Sequence, residues 1–143
     1  WSRAYGRALS GDVTGAAADA EILQKLAPAM PYTSQITSLV HAMSGRADAA
    51  RAALGEASGL DAHHKFHLAE AYAMAGDHDR ALDLLGEAVH GGFHPGEFIS
   101  THCPFFVSLR GSPRFEALAA DAVRLTAEFG AAAGRPRAPA AGT

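Results

Sequence analysis

Apolar residues along this chain recur at intervals of three and four, and glycines cut the pattern at regular places. The clearest stretch, AYAMAGDHDRALDLLGEA, runs from Ala71 to Ala88. After Gly76-Asp77, the residues Ala81, Leu82, Leu85 and Ala88 share one face at helical spacing. Gly76 suits the left-handed conformation that ends a helix, and Asp77 can accept the backbone N–H bonds that begin the next. The stretch therefore predicts a helical hairpin. Thirty-one residues upstream stands a related one, HAMSGRADAARAALGEA. Met43 matches Met74, Gly45 matches Gly76, Ala50 matches Ala81, Leu54 matches Leu85, and Gly55-Glu56 matches Gly86-Glu87.

A shift of 34 then lays Ser10-Gly11 on Ser44-Gly45 and Ala16 on Ala50, a weaker first copy with Arg7 where His41 and Tyr72 stand. Periods in this range mark stacked helical hairpins, each too small to bury its apolar face alone. Ala50 and Ala81 are small where two helices cross, as axes about 8–10 Å apart require. From Phe93 the pattern changes. A short apolar segment and a turn lead to Ser112-Pro113, a cap followed by a first-turn proline. Phe115, Leu118, Ala122, Leu125 and Phe129 then predict one amphipathic helix. Residues 130–143, GAAAGRPRAPAAGT, have no period and read as a disordered tail.

Composition agrees with helices packed around a core. The 143 residues are 48% hydrophobic and 19% charged, with Ala, Leu and Gly prominent over β-branched and aromatic types. A net charge of −3 without a basic block offers no surface for phosphates, so no nucleic-acid partner is expected. No apolar run reaches the ~20 residues of a membrane span. One cysteine suits a reducing compartment, so a cytoplasmic protein without membrane partners is expected. The start on Trp1 suggests a fragment of a longer chain.

These residues resemble the tetratricopeptide repeat, a helix-turn-helix unit that stacks into a right-handed superhelix. In the third copy Leu68, Ala69, Tyr72, Gly76, Ala81, Leu85 and Ala88 take that motif's signature places. Phe93 stands where a proline is usual, and the proline is displaced to Pro95. The second copy keeps Gly45, Ala50, Leu54 and Ala57, with Thr37, Ser38 and His41 at places usually larger or tighter-packing; the first keeps Gly11, Ala16 and Pro28. The resemblance covers residues 1–95, divided at about 1–30, 31–61 and 62–95. Residues 96–129, around PFFVSLRGSPRFEAL, are similar to the endings of bacterial arrays appended to signalling proteins such as receptor-type kinases, nucleotide cyclases and transcriptional regulators. Cys103 stands where an acidic residue commonly precedes the first proline. The resemblance implies an all-α superhelix closed by a C-terminal capping helix.

On that register the first helices of the hairpins line a concave groove with Tyr5 and Leu9, then Tyr32, Gln35, Leu39 and Met43, then His63, Phe66, Glu70 and Met74. Aromatic and methionine side chains there suit the apolar anchors of a bound peptide. The competing reading makes several of them core. The Lys and Asn residues that clamp a terminal carboxylate in chaperone-binding members are absent, which argues against that ligand class. His63 and His67, and His90 and His94, stand four apart, and His102-Cys103 lies nearby. Zinc needs three or four ligands, and Gly91-Gly92 and Pro95 break the second pair's helix, so the histidines read as solvated or packing residues and no metal or cofactor is assigned. His102-Cys103 as base and nucleophile fails because sequence neighbours point apart. No phosphate-binding loop or paired-carboxylate pocket is present.

The expectation is a non-catalytic module that binds a peptide, another protein or a neighbouring domain of the same polypeptide in the groove. Phe66, Met74, Tyr32 and Met43 would anchor it and Glu70 would set its polarity. A homo-oligomer that stacks through an uncovered N-terminal hairpin, and a histidine-based metal or small-ligand receptor, are the alternatives.

Overall fold

In a computed structural model, residues 1–54 and 59–133 are described; the repeat matches at Gly55, Glu56 and Ala57, and the tail from 134 onward, lie outside them. The fold is all-α, with no strand among the described residues. Three antiparallel pairs come first: α1 (Ser2–Leu9) with α2 (Val13–Leu26), α3 (Pro31–Met43) with α4 (Ala47–Ala53), and α5 (Ala62–Met74) with α6 (His78–His90). A π-helical turn (Phe98–His102) and a 3-10 helix (Pro104–Leu109) lead to α7 (Pro113–Ala133).

Local chemistry sets the hairpin breaks. Gly11, Gly45 and Gly76 take φ of +80°, +73° and +82°, a region closed to most side chains. Asp12 then accepts from the Gly15 N–H, and Asp77 from the Arg80 N–H, to start α2 and α6. Arg46, in the same place before α4, makes no side-chain cap. Ala16, Ala50 and Ala81 are fully buried where the paired helices cross. The Ser38 hydroxyl donates to the Ala50 carbonyl at 2.8 Å, so the small pair also closes a buried polar contact.

The second hairpin departs from the repeat. The spacing puts Leu54 on a helix face one turn beyond Ala50, but α4 ends at Ala53 and Leu54 is extended, with ψ of 130°. Its homologue Leu85 sits mid-helix and fully buried. The difference is in what lies alongside: α6 is held between α5 and α7, whereas α4 packs chiefly on α3.

Helix α5 is the centre. It touches α3, α6 and the 3-10 helix, and Phe66 through Ala71 are all buried. Leu68, Ala69, Phe66 and Leu85 join one core with Phe106 and Phe115. At the C-terminal end Ser112 accepts from the Phe115 N–H, and α7 buries Phe115, Ala119 and Ala122. The apolar stripe expected on α7 reaches Phe129, yet Phe129 is 71% exposed. Past Thr126, which donates to the His94 carbonyl, α7 runs on to Ala133 beyond the body it covers, so residues 130–133, expected as the start of a tail over 130–143, are helical instead.

The turn before the π-helix comes close to α7. A Cβ placed on Gly96 would stand 2.6 Å from the Val123 Cα and 2.7 Å from its N, both backbone atoms. On Gly86, within α6, a Cβ would meet only the Leu118 Cδ2 at 3.5 Å, an ordinary contact. Substitution by alanine should therefore act in opposite senses at the two positions. Gly96→Ala should destabilise by about 1–3 kcal/mol through overpacking. Gly86→Ala should stabilise by about 0.5–1 kcal/mol through helix propensity. Urea unfolding of both variants checks this; a shared sign would contradict the packing described.

Candidate functional site

Three polar residues stand on one stripe of α5 at positions i, i+4 and i+7: His63, His67 and Glu70. The stripe faces inward. Glu70 has no exposed surface and His67 is 6% exposed. A buried carboxylate persists only when its lone pairs are filled. Tyr5 from α1 donates its hydroxyl to Glu70 Oε1 at 2.6 Å, and the Cys103 thiol donates to the same oxygen at 3.3 Å. Glu70 Oε2 lies 2.7 Å from His67 Nδ1. The two imidazoles meet through Nε2 at 3.1 Å, and the outer nitrogen of His63, Nδ1, lies 2.9 Å from the Tyr32 hydroxyl. One chain of contacts thus joins α1, α3, α5 and the segment before the 3-10 helix.

Aromatic packing encloses the chain. Trp1 stacks on Tyr5 with centroids 5.3 Å apart and lies edge-on to His67 at 4.9 Å; Tyr32 stacks on His64 at 4.3 Å. His63 packs on Phe93 at 4.5 Å. Burial shapes the proton affinities. The Tyr5 hydroxyl is driven far above its ordinary value by desolvation and by the charge of Glu70. The Cys103 thiol is driven up by the same two causes and stays protonated. His63 falls below its ordinary value, through burial first and then His67, with Asp61 opposing.

The residues expected to line a groove therefore divide. Gln35, Leu39, Phe66 and Glu70 are buried, whereas Tyr5, Tyr32, Met43, His63 and Met74 are half-buried. Phe66 is enclosed by Phe93, Phe98 and Phe106, with centroids 5.1 to 6.2 Å away. Gln35 donates to the His64 carbonyl at 3.0 Å, while its Oε1 has no partner among the described residues. The physical reason for the burial is the chain itself. The segment from Cys103 to Leu109 lies against α5 over Phe66 and Glu70 and brings Phe105 to 6.0 Å from Tyr5. On this surface Phe66 and Glu70 present nothing for an incoming peptide to anchor on or pair with.

The other histidine arrangements come apart. His90 closes α6, while His94 lies beyond it, outside any helix. His102 is exposed and turned to Glu97, away from the buried Cys103. Among the described residues no group of three or more His, Cys, Asp or Glu side chains is arranged to hold a metal ion. No helix there is long and apolar enough to cross a membrane. A second polar feature lies between α2 and α3, where a cavity of about 150 Å³ is lined by Glu21, Thr37, His41 and Arg46, among others. Burial, and then Arg46, lower the His41 proton affinity. The histidine pair is visible in the sequence, whereas nothing local marks Trp1 or the role of Cys103. The i, i+4, i+7 spacing of His63, His67 and Glu70 was the available signal for the network. Comparison with family models, with curated proteins and with solved structures finds no match.

Two outcomes follow from the site. Tyr5→Phe removes one donor from a buried carboxylate and should destabilise by about 1.5–3 kcal/mol in urea unfolding; a loss under about 0.5 kcal/mol, the range of ordinary surface changes, would mean that the bond carries no weight. His41 and His63 both have folded values below the 6.5 of the free side chain. Each therefore binds a proton more readily when unfolded, so stability present above pH 6.5 should be lost as pH falls below it. A thermal midpoint that is flat from pH 5.5 to 8 would contradict this.

Proposed function

We propose that the chain is a tetratricopeptide-like helical array that acts as a non-catalytic protein-interaction module, and that its partner docks on the edge formed by α1 and α2. One observation carries this reading: the face expected to take a peptide is filled by the chain's own Cys103–Leu109 segment, while large apolar side chains stay open on α2. Ile22 and Leu26 are 47% and 78% exposed, and Met30, which precedes α3, is 45% exposed. Ile22 and Leu26 are one helical turn apart and border a cleft of about 330 Å³ that reaches Trp1, Ala4 and Leu23. Apolar side chains grouped in this way, with the Arg3–Asp19 ion pair at the rim, favour a protein contact. The three hairpins and the covering α7 support the array reading, as do the glycine breaks and the small residues at the crossings. A second copy is the alternative partner for the same edge.

The test compares two sets of charge substitutions at positions that are at least partly exposed, since a glutamate at Phe66 would bury an unpaired charge. Ile22→Glu/Leu26→Glu should abolish co-purification of the partner, or the concentration-dependent mass in sedimentation, with helicity retained. Loss in Met43→Glu/Met74→Glu instead would return the contact to the face of α5. Retention in both variants would end the interaction reading for either surface.

A further inference from the structure

We propose that His63 and His67 form a two-imidazole chelate for one divalent transition-metal ion of the copper, nickel and zinc group. The evidence is the geometry of the pair. Their Nε2 atoms are 3.1 Å apart. Two imidazole nitrogens on one ion at about 2.0–2.1 Å stand roughly 2.8 Å apart in a square plane and 3.4 Å apart in a tetrahedron. The observed spacing lies between these limits. The ring centroids are 4.7 Å apart, too close for two rings meeting head-on across that gap, so the Nε2 axes are inclined to the line between them. Residues at i and i+4 leave a helix on the same side, which lets both nitrogens address a common point.

The surroundings fit a ligand pair better than a packing pair. A metal-bound imidazole commonly has its other nitrogen held by a carboxylate, a carbonyl or water, which fixes the ring and its tautomer. Here Glu70 Oε2 holds His67 Nδ1 at 2.7 Å, and the Tyr32 hydroxyl holds His63 Nδ1 at 2.9 Å. The burial of Glu70 and its bonds from Tyr5 and Cys103 keep that carboxylate in place. One set of neutral tautomers satisfies every contact in the free protein. His67 Nδ1–H donates to Glu70, His63 Nε2–H donates to His67 Nε2, and the Tyr32 O–H donates to His63 Nδ1. Binding replaces the bridging proton. That proton passes to His63 Nδ1, which then donates to the Tyr32 oxygen, so both rings stay neutral and both Nε2 lone pairs go to the ion. Two protein ligands leave the remaining coordination positions to water or to a group brought by another molecule. Imidazole ligands and the Irving–Williams order favour Cu²⁺ over Ni²⁺ and Zn²⁺.

The test titrates the metal-free full chain with Zn²⁺ and records ring-nitrogen NMR of its histidines. Cu²⁺ is titrated in parallel by calorimetry. The expected result is one ion per chain, with the Nε2 signals of His63 and His67 moving together while those of His78, His90 and His102 stay in place. His63→Ala should weaken Cu²⁺ about tenfold or more, and Tyr32→Phe by a smaller factor. His90→Ala should leave binding unchanged. Shifts spread over the exposed histidines, or equal Cu²⁺ affinity in His63→Ala, would overturn the proposal. The nitrogen signals of the unsubstituted protein decide the matter even where a variant does not fold.

Discussion

A carboxylate with no exposed surface is expensive to keep, and Glu70 is kept within the run of α5 from Phe66 to Ala71 that is buried throughout. Its cost is met by donors that come from three separate parts of the chain: Tyr5 from the first hairpin, His67 from its own helix and Cys103 from the stretch after the third. None of those parts can shift without leaving an unpaired polar group in the interior. The first hairpin and the C-terminal segment are therefore held in register with α5 by direction-specific bonds, where apolar packing alone would tolerate some sliding. The aromatic shell of Trp1, Tyr5, Tyr32 and Phe105 then packs against positions that the network has already fixed.

The hairpins were legible because their signals are local. A glycine that must take positive φ and an alanine at the crossing define each unit without reference to the rest of the chain, and an aspartate follows the glycine in the first and third. Ser112-Pro113 announced α7 in the same way. What failed to follow from sequence depended on neighbours. Leu54 and Leu85 occupy equivalent repeat places, yet α6 is held between α5 and α7 while α4 packs chiefly on α3. Phe129 continues the periodicity of α7 after the body beneath it has ended. Periodicity states which residues share a face and says nothing of whether anything covers it.

The site was half legible for a related reason. The register placed Tyr5, Tyr32, His63, Phe66 and Glu70 on the same side of successive helices, and the structure brings them together. The occupant of that side is a segment more than thirty residues later in sequence, which no repeat pattern could locate. Phe105 and Phe106 read as ordinary apolar residues, and Cys103 as a departure from an acidic position. In the folded chain that departure has a reason, because an acid at 103 would set a second carboxylate against the buried Glu70, and like charges at that depth repel strongly. A thiol donates to Glu70 where an ionised acid could only accept.

The filling of that side changes where an interaction surface can be. The Cys103–Leu109 segment lies against α5 over Phe66 and Glu70, so the proposed contact has to use apolar side chains left open elsewhere. Ile22 and Leu26 stand one turn apart on α2 and border the same cleft, which sets them apart from singly exposed apolar residues. The imidazole pair stands in a similar relation to its surroundings. Leucine at 63 and 67 would leave Glu70 Oε2 and the Tyr32 hydroxyl without these partners. A buried acid, two edge-on imidazoles and two tyrosines form a costly arrangement for packing alone. As the support of the proposed chelate, each of these groups has a defined task.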